Sequence, residues 1–361
     1  MGIDTHKYEH TAVVINRFEE QLTSFNFVNT PSALHNFLNQ LSHWHSQYRQ
    51  DSYQDLNSSQ MLVGIEGSHH HGFELAKALI QQDYLVYEVN SIYTKSRRGY
   101  GTSWDKSDEI DARLIASVLT RHLDQLPQLN LNPAFVSADF QSLVEAVAYL
   151  EDLIQTQTRI KNKLHHLFHL LDSKYRSKFK AVFGYQALKY WQRRAYRHHH
   201  QLQYQHLLSL LRQYNSLQKQ LSNLDQWLKF WLINHRFDFL LTLPGVGVRN
   251  GAKLMAYIQD INRFSNQDKF CRYVGCVPEQ HSSGTRTSFH KAKMSHKQLY
   301  RTFYSIALTQ LKLVPSAKEY YDKKLDQHKT KKQARRSLIK NLAVIVYQML
   351  KHYQSYQPTN N

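Results

Sequence analysis

The sequence predicts an α/β domain at the N-terminal end followed by a mainly helical remainder. Three observations lead to this fold class. Short apolar runs alternate with amphipathic segments over the first 125 or so residues. Residues 138–235 contain only one glycine, Gly184, and are rich in leucine. Apolar stretches then return after residue 240, next to glycine and proline. The chain has 361 residues, enough for two or three domains with cores of their own.

The first three elements are predicted to be strands. They lie near Gly2–Lys7, His10–Asn16 and Gln21–Asn29, and short polar turns separate them. The tripeptide Thr30-Pro31-Ser32 then indicates a helix start, because proline is favoured in the first helical turn. The chain is therefore expected to begin with an antiparallel hairpin series followed by a helix.

The next elements are predicted to alternate between strand and helix. Met61–Ile65 is apolar enough for a buried central strand, Phe73–Gln82 has a helical pattern, and Leu85–Val89 is a further strand. A helix is expected to start at Ser107, whose hydroxyl can cap it. Three hairpin strands followed by this alternation match the element order of a ribonuclease H-like sheet.

Four carboxylates are predicted to meet at one end of this domain. Asp4 and Glu66 lie at the ends of two predicted strands, and Asp108 and Asp111 are three residues apart on the predicted helix. Side chains at that spacing are neighbours on one helix face. A carboxylate at the tip of a buried strand is costly unless it is paired or bound to a metal. Oxygen ligands of this kind favour Mg²⁺ or Mn²⁺, and we expect two ions.

The leucine-rich region is predicted to form two long helices. One covers Gln141–Leu171. In the other, apolar residues recur every seven positions in two interleaved rows, which is the pattern of a coiled coil. These rows are Leu207, Tyr214, Leu221 and Leu228, and Leu210, Leu217 and Leu224. Such a pair more often forms a spacer or a dimer contact than a catalytic site. Residues 189–200, rich in Arg and His, allow no structural prediction, although a turn is expected near Gly184.

The third region begins near residue 240. The motif from Leu243 to Gly247 precedes a predicted helix over Asn250–Ile258 and resembles the phosphate-binding hairpin of helix-hairpin-helix modules. Phe270–Val277 is predicted to be helical, and Glu279–Thr287 is predicted to be a polar loop.

The charge of the chain points to a polyanionic partner, with nucleic acid preferred to a membrane surface. The net charge is +18, and residues 291–361 contain 15 Lys or Arg against three Asp or Glu. A basic loop between the last strand and the Asp108 helix adds to the positive charge. The predicted nucleic-acid contacts are Lys95, Arg97, Arg98, Arg286, Lys291, Lys293, Lys297, Arg301, Lys331, Lys332, Arg335 and Arg336.

Composition also excludes several classes of protein. No run of 18 apolar residues predicts a membrane span, and no signal peptide is recognisable. Two cysteines, Cys271 and Cys276, provide neither a disulfide framework nor a zinc site. We therefore expect a protein of the reducing cytosol.

Six motifs occur in one order along the chain. They are Gly2-Ile3-Asp4, Ile65-Glu66-Gly67, Lys106 to Ala112, Leu243 to Gly247, Gly275 to Pro278, and Ser283-Gly284. In this order they resemble the insertion-sequence 110 family of DEDD transposases, which are bridge-RNA-guided recombinases. The Asp108–Asp111 motif and the Pro-x-x-x-x-Ser-Gly loop contribute most to the resemblance, which extends over nearly the whole chain.

The resemblance implies three domains. These are a RuvC-like catalytic domain over residues 1–130, a helical coiled-coil spacer over 131–236, and a C-terminal transposase domain over 237–361. It further implies that Asp4, Glu66, Asp108 and Asp111 bind metal and that Ser283 is a serine nucleophile, with Ser282 as its neighbour. The implied partners are donor and target DNA, a non-coding bridge RNA, and other copies of the chain in a dimer or tetramer.

Two other functions compete with recombination. A RuvC-like nuclease could hydrolyse junction DNA with the same acids and no covalent intermediate, in which case Ser283 would be an ordinary loop residue. A non-catalytic relative could bind RNA or DNA without cutting it. The presence of all four acids argues against the second of these alternatives.

Overall fold

A computed structural model of the chain describes residues 1–50, 61–67, 71–91, 93–94, 107–126, 128–129, 137–277, 279–283, 286–290 and 295–357. For residues 45–50, 279–283 and 286–290 it describes the backbone only. The chain forms two compact units. Unit 1 comprises residues 1–137, 260–300 and 324–347, and unit 2 comprises residues 138–259, 301–323 and 348–361. The three domain boundaries drawn from the sequence stay predictions.

Unit 1 is built on a five-stranded mixed sheet. Its strands are β1 (Gly2–Thr5), β2 (Glu9–Ile15), β3 (Gln21–Val28), β4 (Leu62–Glu66) and β5 (Leu85–Glu88), in the spatial order β3-β2-β1-β4-β5. The first three pair antiparallel, whereas β4 is parallel to both β1 and β5. The predicted strands are confirmed, and the α/β character of the N-terminal region is confirmed with them.

Three helices connect and cover these strands. They are α1 (Pro31–Gln50), α2 (Phe73–Gln81) and α3 (Asp108–His122). One apolar core contains Phe37 and Leu41 of α1, Leu79 of α2, and Ile3 and Ile65 of the central strands. Because α1 and α2 share this core, they cover the same face of the sheet.

The other face of the sheet is covered by α3. Successive residues of a strand alternate between the two faces, so Gly2 and Gly64 lie opposite to Ile3 and Ile65. A Cβ atom added to Gly2 would lie 2.1 Å from the carbonyl oxygen of Ala112 and 2.3 Å from the amide nitrogen of Ala116. Helix α3 therefore packs directly on the backbone of β1, which requires a residue without a side chain at position 2.

We predict that Gly2→Ala lowers the stability of the folded chain by about 2–3 kcal/mol, because α3 has to move away from β1. Gly247→Ala is a suitable control, since a Cβ atom at Gly247 would have no neighbour within 4 Å. Gly247 is the N-cap of α8, where alanine is less favourable than glycine, so the control is expected to lower stability by about 1 kcal/mol or less. Urea unfolding of both variants measures the difference. Equal midpoints would show that α3 does not need this close contact.

Two further segments of the chain belong to unit 1. They contain α9 (Gln267–Val274), the hairpin β6 (Glu279–Ser283) and β7 (Arg286–His290), and most of α12 (Lys331–His352). The guanidinium of Arg263 lies over the rings of Phe264 and Tyr273 and 3.9 Å from the Glu88 carboxylate at the end of β5. This partly buried arginine thus connects residues 260–300 to the edge of the five-stranded sheet.

The polar loop predicted over Glu279–Thr287 is corrected by the structure. Two strands pair there in antiparallel register, with Gln280 opposite Phe289 and Ser283 opposite Arg286. The segment lacks the alternation of apolar and polar residues that indicates a strand in a sequence. The two strands are recognisable only by the pairing of their backbones.

Unit 2 is mainly helical. Its longest helices are α4 (Ala138–Leu171) and α7 (Leu202–Asn234), and they run antiparallel: Phe140 packs on Trp231, and the Tyr149 hydroxyl donates to Gln220. The predicted pair of long helices is confirmed. Six of the seven predicted heptad residues are buried, and the seventh, Leu224, is partly buried. A coiled-coil role for this pair stays a prediction.

The sequence allowed no prediction for residues 189–200. Most of this region belongs to helix α6 (Tyr185–Arg197), which follows a short helix α5 (Tyr175–Lys178). Gly184 directly precedes α6, as expected for the turn. Three residues spaced by four, Ala187, Trp191 and Ala195, are buried, and Trp191 stacks on Phe168 with ring centres 4.4 Å apart. This short apolar row attaches α6 to the helical pair.

Three further α-helices of the described residues are α8 (Val248–Ile258), α10 (Lys297–Leu313) and α11 (Pro315–Asp326). The predicted turn before α8 is present: Gly245 has φ = +90°, and its carbonyl accepts a hydrogen bond from Asn250. The carbonyl of Pro244 accepts another from Gln310 of α10. Within the described residues, no helix is both long and apolar enough to cross a membrane.

Candidate metal centre

Two of the predicted acids lie side by side at the same edge of the sheet. Asp4 in β1 and Glu66 at the end of β4 are register partners across parallel strands. Both occupy strand positions equivalent to Gly2 and Gly64, which face α3. Asp4 is buried, with 7% of its surface exposed, whereas Glu66 is partly exposed. The register of β1 and β4 thus places two carboxylates on the face that α3 covers.

Helix α3 begins at this edge and adds two more acids. Ser107 caps the helix as predicted, and its hydroxyl accepts a hydrogen bond from the amide of Ile110. Asp108 is exposed in the first turn, while Asp111, one turn further on, is buried. Burial raises the pKa of the Asp4 carboxyl, and the negative charges of Asp111 and Asp108 also raise it. Three of the four predicted acids are therefore electrostatic neighbours.

His6 is the residue of this site that the sequence analysis missed. Its Nε2 atom lies 3.2 Å from Oδ2 of Asp4 and 3.3 Å from Oδ1 of Asp108. Its positive charge, when present, opposes the rise in the pKa of Asp4. The ligand atoms of Asp4, His6 and Asp108 all lie within 4.8 Å of one another.

His10 stabilises the turn that carries His6. The backbone amide of His6 donates to Nδ1 of His10 at 3.3 Å, and the His10 ring is buried against Phe27. Burial lowers the pKa of His10, so its ring is neutral and can accept at Nδ1. A signal for His6 was present in the sequence, since it is two residues beyond Asp4, but only the tight turn between β1 and β2 brings it to Asp108.

Glu66 is held separately. The hydroxyl of the buried Thr94 donates to its Oε2 at 3.2 Å, and the Thr5 hydroxyl donates to its backbone carbonyl at 2.6 Å. In the described part of the chain, the group of ligand atoms within 4.8 Å contains neither Glu66 nor Asp111. These two carboxylates flank the group of Asp4, His6 and Asp108.

The donor set is suitable for a divalent cation. Two carboxylate oxygens and one imidazole nitrogen converge, and a buried Asp4 has His6 as its ion-pair partner among the described residues. Carboxylates suit Mg²⁺ and Mn²⁺, while an imidazole nitrogen favours Mn²⁺ and the later transition metals over Mg²⁺. Asp4, His6 and Asp108 could hold one ion, and Glu66 and Asp111 stand next to it.

We predict that His6→Ala weakens Mn²⁺ binding about tenfold, equivalent to about 1.4 kcal/mol, because one ligand is lost. Mg²⁺ binding should change less, since Mg²⁺ prefers oxygen. Pulsed EPR of bound Mn²⁺ should show ¹⁴N coupling in the parent protein and none in His6→Ala. His35→Ala, which removes an exposed histidine from α1, is the control. Coupling that persists in His6→Ala would show that His6 is not a ligand.

The predicted nucleophile Ser283 is the last residue of β6, in register with Arg286 of β7. This hairpin belongs to unit 1, as do all four acids.

The predicted nucleic-acid contacts are only partly described. Six of them have described side chains. Lys297 and Arg301 lie on α10, and Lys331, Lys332, Arg335 and Arg336 lie in the first two turns of α12. Lys297, Arg301, Lys331 and Lys332 are exposed, and Arg335 and Arg336 are partly buried. Arg286 is described by its backbone alone. Lys95, Arg97, Arg98, Lys291 and Lys293 lie outside the described residues.

Two family models match the chain. A DEDD transposase model of the IS110 type covers residues 1–172, and a model described as "Transposase IS116/IS110/IS902 family" covers residues 238–322. The first match contains the sheet and all four acids, and the second contains Ser283. Together they span most of the chain and leave residues 173–237 and 323–361 unmatched.

Individual relatives match the chain at 26–30% sequence identity, over about a third to two fifths of its length. The chain is 30% identical over 123 residues to an uncharacterised 43.6 kDa protein of insertion element IS110 from Streptomyces coelicolor, covering 33% of the chain and 30% of the relative. It is 26% identical to an uncharacterised 42 kDa protein of insertion element IS900 from Mycobacterium paratuberculosis, covering 41% and 38%.

A third relative is the pilin gene-inverting protein of Moraxella bovis, 26% identical over 34% of the chain and 39% of the relative. The matched segments thus span between about a third and two fifths of these relatives' lengths. Since both family models describe transposases of the IS110 type, the chain belongs to the IS110 family of transposases.

Proposed function

We propose that the protein is a DNA recombinase of an insertion sequence that cuts and rejoins DNA with a divalent-metal site and a serine nucleophile. The observation that carries the proposal is the convergence of Asp4, Asp108 and Asp111, with Glu66 in register beside Asp4. Strand order β3-β2-β1-β4-β5 supports a RuvC-like ribonuclease H fold for this region.

The acids have distinct tasks in this proposal. Two Mg²⁺ or Mn²⁺ ions, when bound, would polarise the scissile phosphate and stabilise the attacking and leaving oxygens. Asp4 is buried and therefore fixed in position, while Asp108 is exposed at the mouth of the site. Thr94 orients Glu66 through its hydrogen bond to Oε2. In this proposal the four acids bind and orient the metal, and none of them forms a covalent bond with the DNA.

The serine provides the covalent step. The Ser283 oxygen attacks the phosphorus, a Ser–O–P ester forms, and the phosphorus–oxygen bond to the 3′ side breaks. The serine proton leaves, and the departing 3′ oxygen takes up a proton. A 3′-hydroxyl of another strand can reverse these bond changes, which releases Ser283 and joins the strands. Because the ester conserves the bond energy, strand exchange needs no external energy source.

The remaining partners follow from charge and from the family. The exposed cations at Lys297, Arg301, Lys331 and Lys332 are suited to the backbones of donor and target DNA and of a bridge RNA. The helical pair α4–α7 would act as a coiled-coil spacer that joins copies of the chain in a dimer or tetramer. The name of the Moraxella bovis relative, a gene-inverting protein, also fits recombination. A nucleoid location in the bacterial cytoplasm would follow from these partners.

A junction nuclease that uses water is the second candidate, since the acid cluster by itself would support hydrolysis. The two functions differ in whether protein becomes attached to DNA.

The test uses protein purified from cells that carry the whole element, so that an associated RNA is retained. The preparation is incubated with supercoiled DNA carrying the ends of the element, in Mg²⁺, in Mn²⁺ and in EDTA, and is then denatured. Recombination predicts a metal-dependent covalent protein–DNA adduct that maps to Ser283. Metal-dependent cleavage without an adduct would favour the nuclease, and absence of cleavage in either metal would contradict both functions.

A further inference from the structure

Residues 173–237, which lie between the two family-model matches, carry an unusual charge distribution. Between Asp172 and Asp225 the sequence has ten Lys or Arg and no Asp or Glu. This stretch contains α5, α6 and the first two thirds of α7, and the structure describes all of it. Asp172, at the beginning of the stretch, pairs with Lys178 and lies 3.9 Å from Arg194.

Three of these ten cations, Lys189, Arg193 and Arg197, lie on the outer side of α6. The inner side consists of Ala187, Trp191 and Ala195, which are buried. The outer side we call the basic α6 face. It comprises Tyr185, Lys189, Gln192, Arg193, Tyr196 and Arg197, all of them exposed. Within the described part of the chain, no ion pair involves Lys189, Arg193 or Arg197, so their charges face solvent.

Two tyrosines mark the ends of the basic α6 face. Tyr185 is 76% exposed and Tyr196 is 50% exposed, although large aromatic side chains are usually well covered. They are eleven residues apart, which is three helical turns and about 16 Å, so they lie on the same side of the helix. The Lys189 ammonium lies 5.3 Å from the Tyr185 ring centre, and Arg212 of α7 is hydrogen-bonded to the Tyr196 hydroxyl. Both rings are therefore held beside cations.

We propose that the basic α6 face binds a single-stranded segment of nucleic acid. Exposed aromatic rings interleaved with Lys and Arg are the arrangement by which proteins hold unpaired strands, with bases stacked on the rings and phosphates on the cations. A duplex keeps its bases stacked internally and could use only the cations. An anionic membrane would require exposed apolar residues between the cations, but the apolar residues of α6 are buried against Phe168 and α7.

This proposal does not rest on the proposed strand cleavage. Binding is measured on the full chain carrying Asp4→Asn, in EDTA, so that no strand is cut. The probes are fluorescent oligo-dT, oligo-U and a DNA duplex of the same length. Comparison of oligo-dT with oligo-U identifies whether DNA or RNA is the preferred strand, and both are expected to bind more tightly than the duplex at this face.

Two sets of variants separate charge from stacking. Lys189→Ala, Arg193→Ala and Arg197→Ala together should weaken single-strand binding at least tenfold and reduce the slope of log K against log salt by about 2. The control triple Arg159→Ala, Lys163→Ala and Lys219→Ala removes the same charge from exposed positions of α4 and α7 and should have a much smaller effect.

The stacking set is Tyr185→Leu with Tyr196→Leu, and Tyr149→Leu on α4 is its control. The tyrosine pair should weaken single-strand binding at least tenfold while leaving the salt slope and duplex binding unchanged. An oligonucleotide containing 5-iodouracil should photocrosslink to Tyr185 or Tyr196 in the parent protein. Unchanged affinity in the tyrosine pair, equal losses in the two charge triples, or preferential duplex binding that needs Lys189, Arg193 and Arg197 would each overturn the proposal. Circular dichroism checks that the variants remain folded.

Discussion

Asp4→Asn is expected to reduce metal-dependent DNA cleavage about a thousandfold, which corresponds to about 4 kcal/mol of transition-state stabilisation. Asparagine keeps the size of the side chain but cannot supply a negative oxygen to a divalent ion. The buried position of Asp4 leaves no room for another group to replace it without rearrangement. Asp111→Asn should have a comparable effect, because Asp111 is equally buried and lies close enough to Asp4 to raise its pKa.

Asp4→Asn should also be more stable than the parent protein in the absence of metal. Because the pKa of Asp4 is raised in the folded chain, its ionised form is less favourable there than in the unfolded chain. Above the unfolded pKa, near 3.9, this difference lowers stability, and it disappears as the pH falls and the carboxyl is protonated. Removal of the charge at pH 7 should therefore raise the thermal midpoint in EDTA.

Glu109→Gln is the matched control for Asp4→Asn. Glu109 also lies in the first turn of α3, but it is exposed, and its Oε1 accepts a hydrogen bond from Gln21. This variant removes one acidic charge near the site and should retain cleavage within a few-fold. A combination of lost cleavage and raised stability that is specific to Asp4 would identify a carboxylate kept for metal binding. Full cleavage by Asp4→Asn would remove the acid cluster from the reaction.

The sheet and the positions of the acids could be predicted because their signals are local. Buried strands β1 and β4 are apolar runs, and the acids directly follow their apolar residues. Since β1 and β4 are parallel, their ends meet at one edge, and Ser107 marks where α3 begins. Each of these features is set by residues within a few positions of one another.

The position of His6, the hairpin β6–β7 and helix α6 could not be predicted, because the sequence pattern of apolar and polar residues does not indicate them. His6 reaches Asp108 only because the turn after β1 is tight and its amide bonds to His10. The hairpin β6–β7 is polar, so it carries no apolar alternation. In α6 the row of Ala187, Trp191 and Ala195 is short and stands among arginines and histidines, which obscure its helical period.

Ser283→Ala is expected to abolish the covalent protein–DNA adduct completely, because no other atom of the side chain can form the ester with phosphorus. The adduct is measured by denaturing electrophoresis after incubation with DNA and Mg²⁺, followed by mass mapping of the attached peptide. Metal binding and thermal stability should be unchanged, since the substitution removes one oxygen and leaves the backbone pairing of Ser283 with Arg286 available.

Ser282→Ala is the control, because Ser282 directly precedes Ser283 in the sequence. Ser282 pairs with Thr287 and Ser283 pairs with Arg286, so the two serines occupy successive positions of β6. Successive positions of a strand alternate between the faces of a sheet, and a hairpin can therefore present only one of them to a given phosphate. Ser282→Ala should form the adduct at the parent level. If Ser282→Ala loses the adduct and Ser283→Ala keeps it, the nucleophile has been placed on the wrong face of the hairpin. If both variants cleave DNA at the parent rate, cleavage uses water, and the acids act as a nuclease.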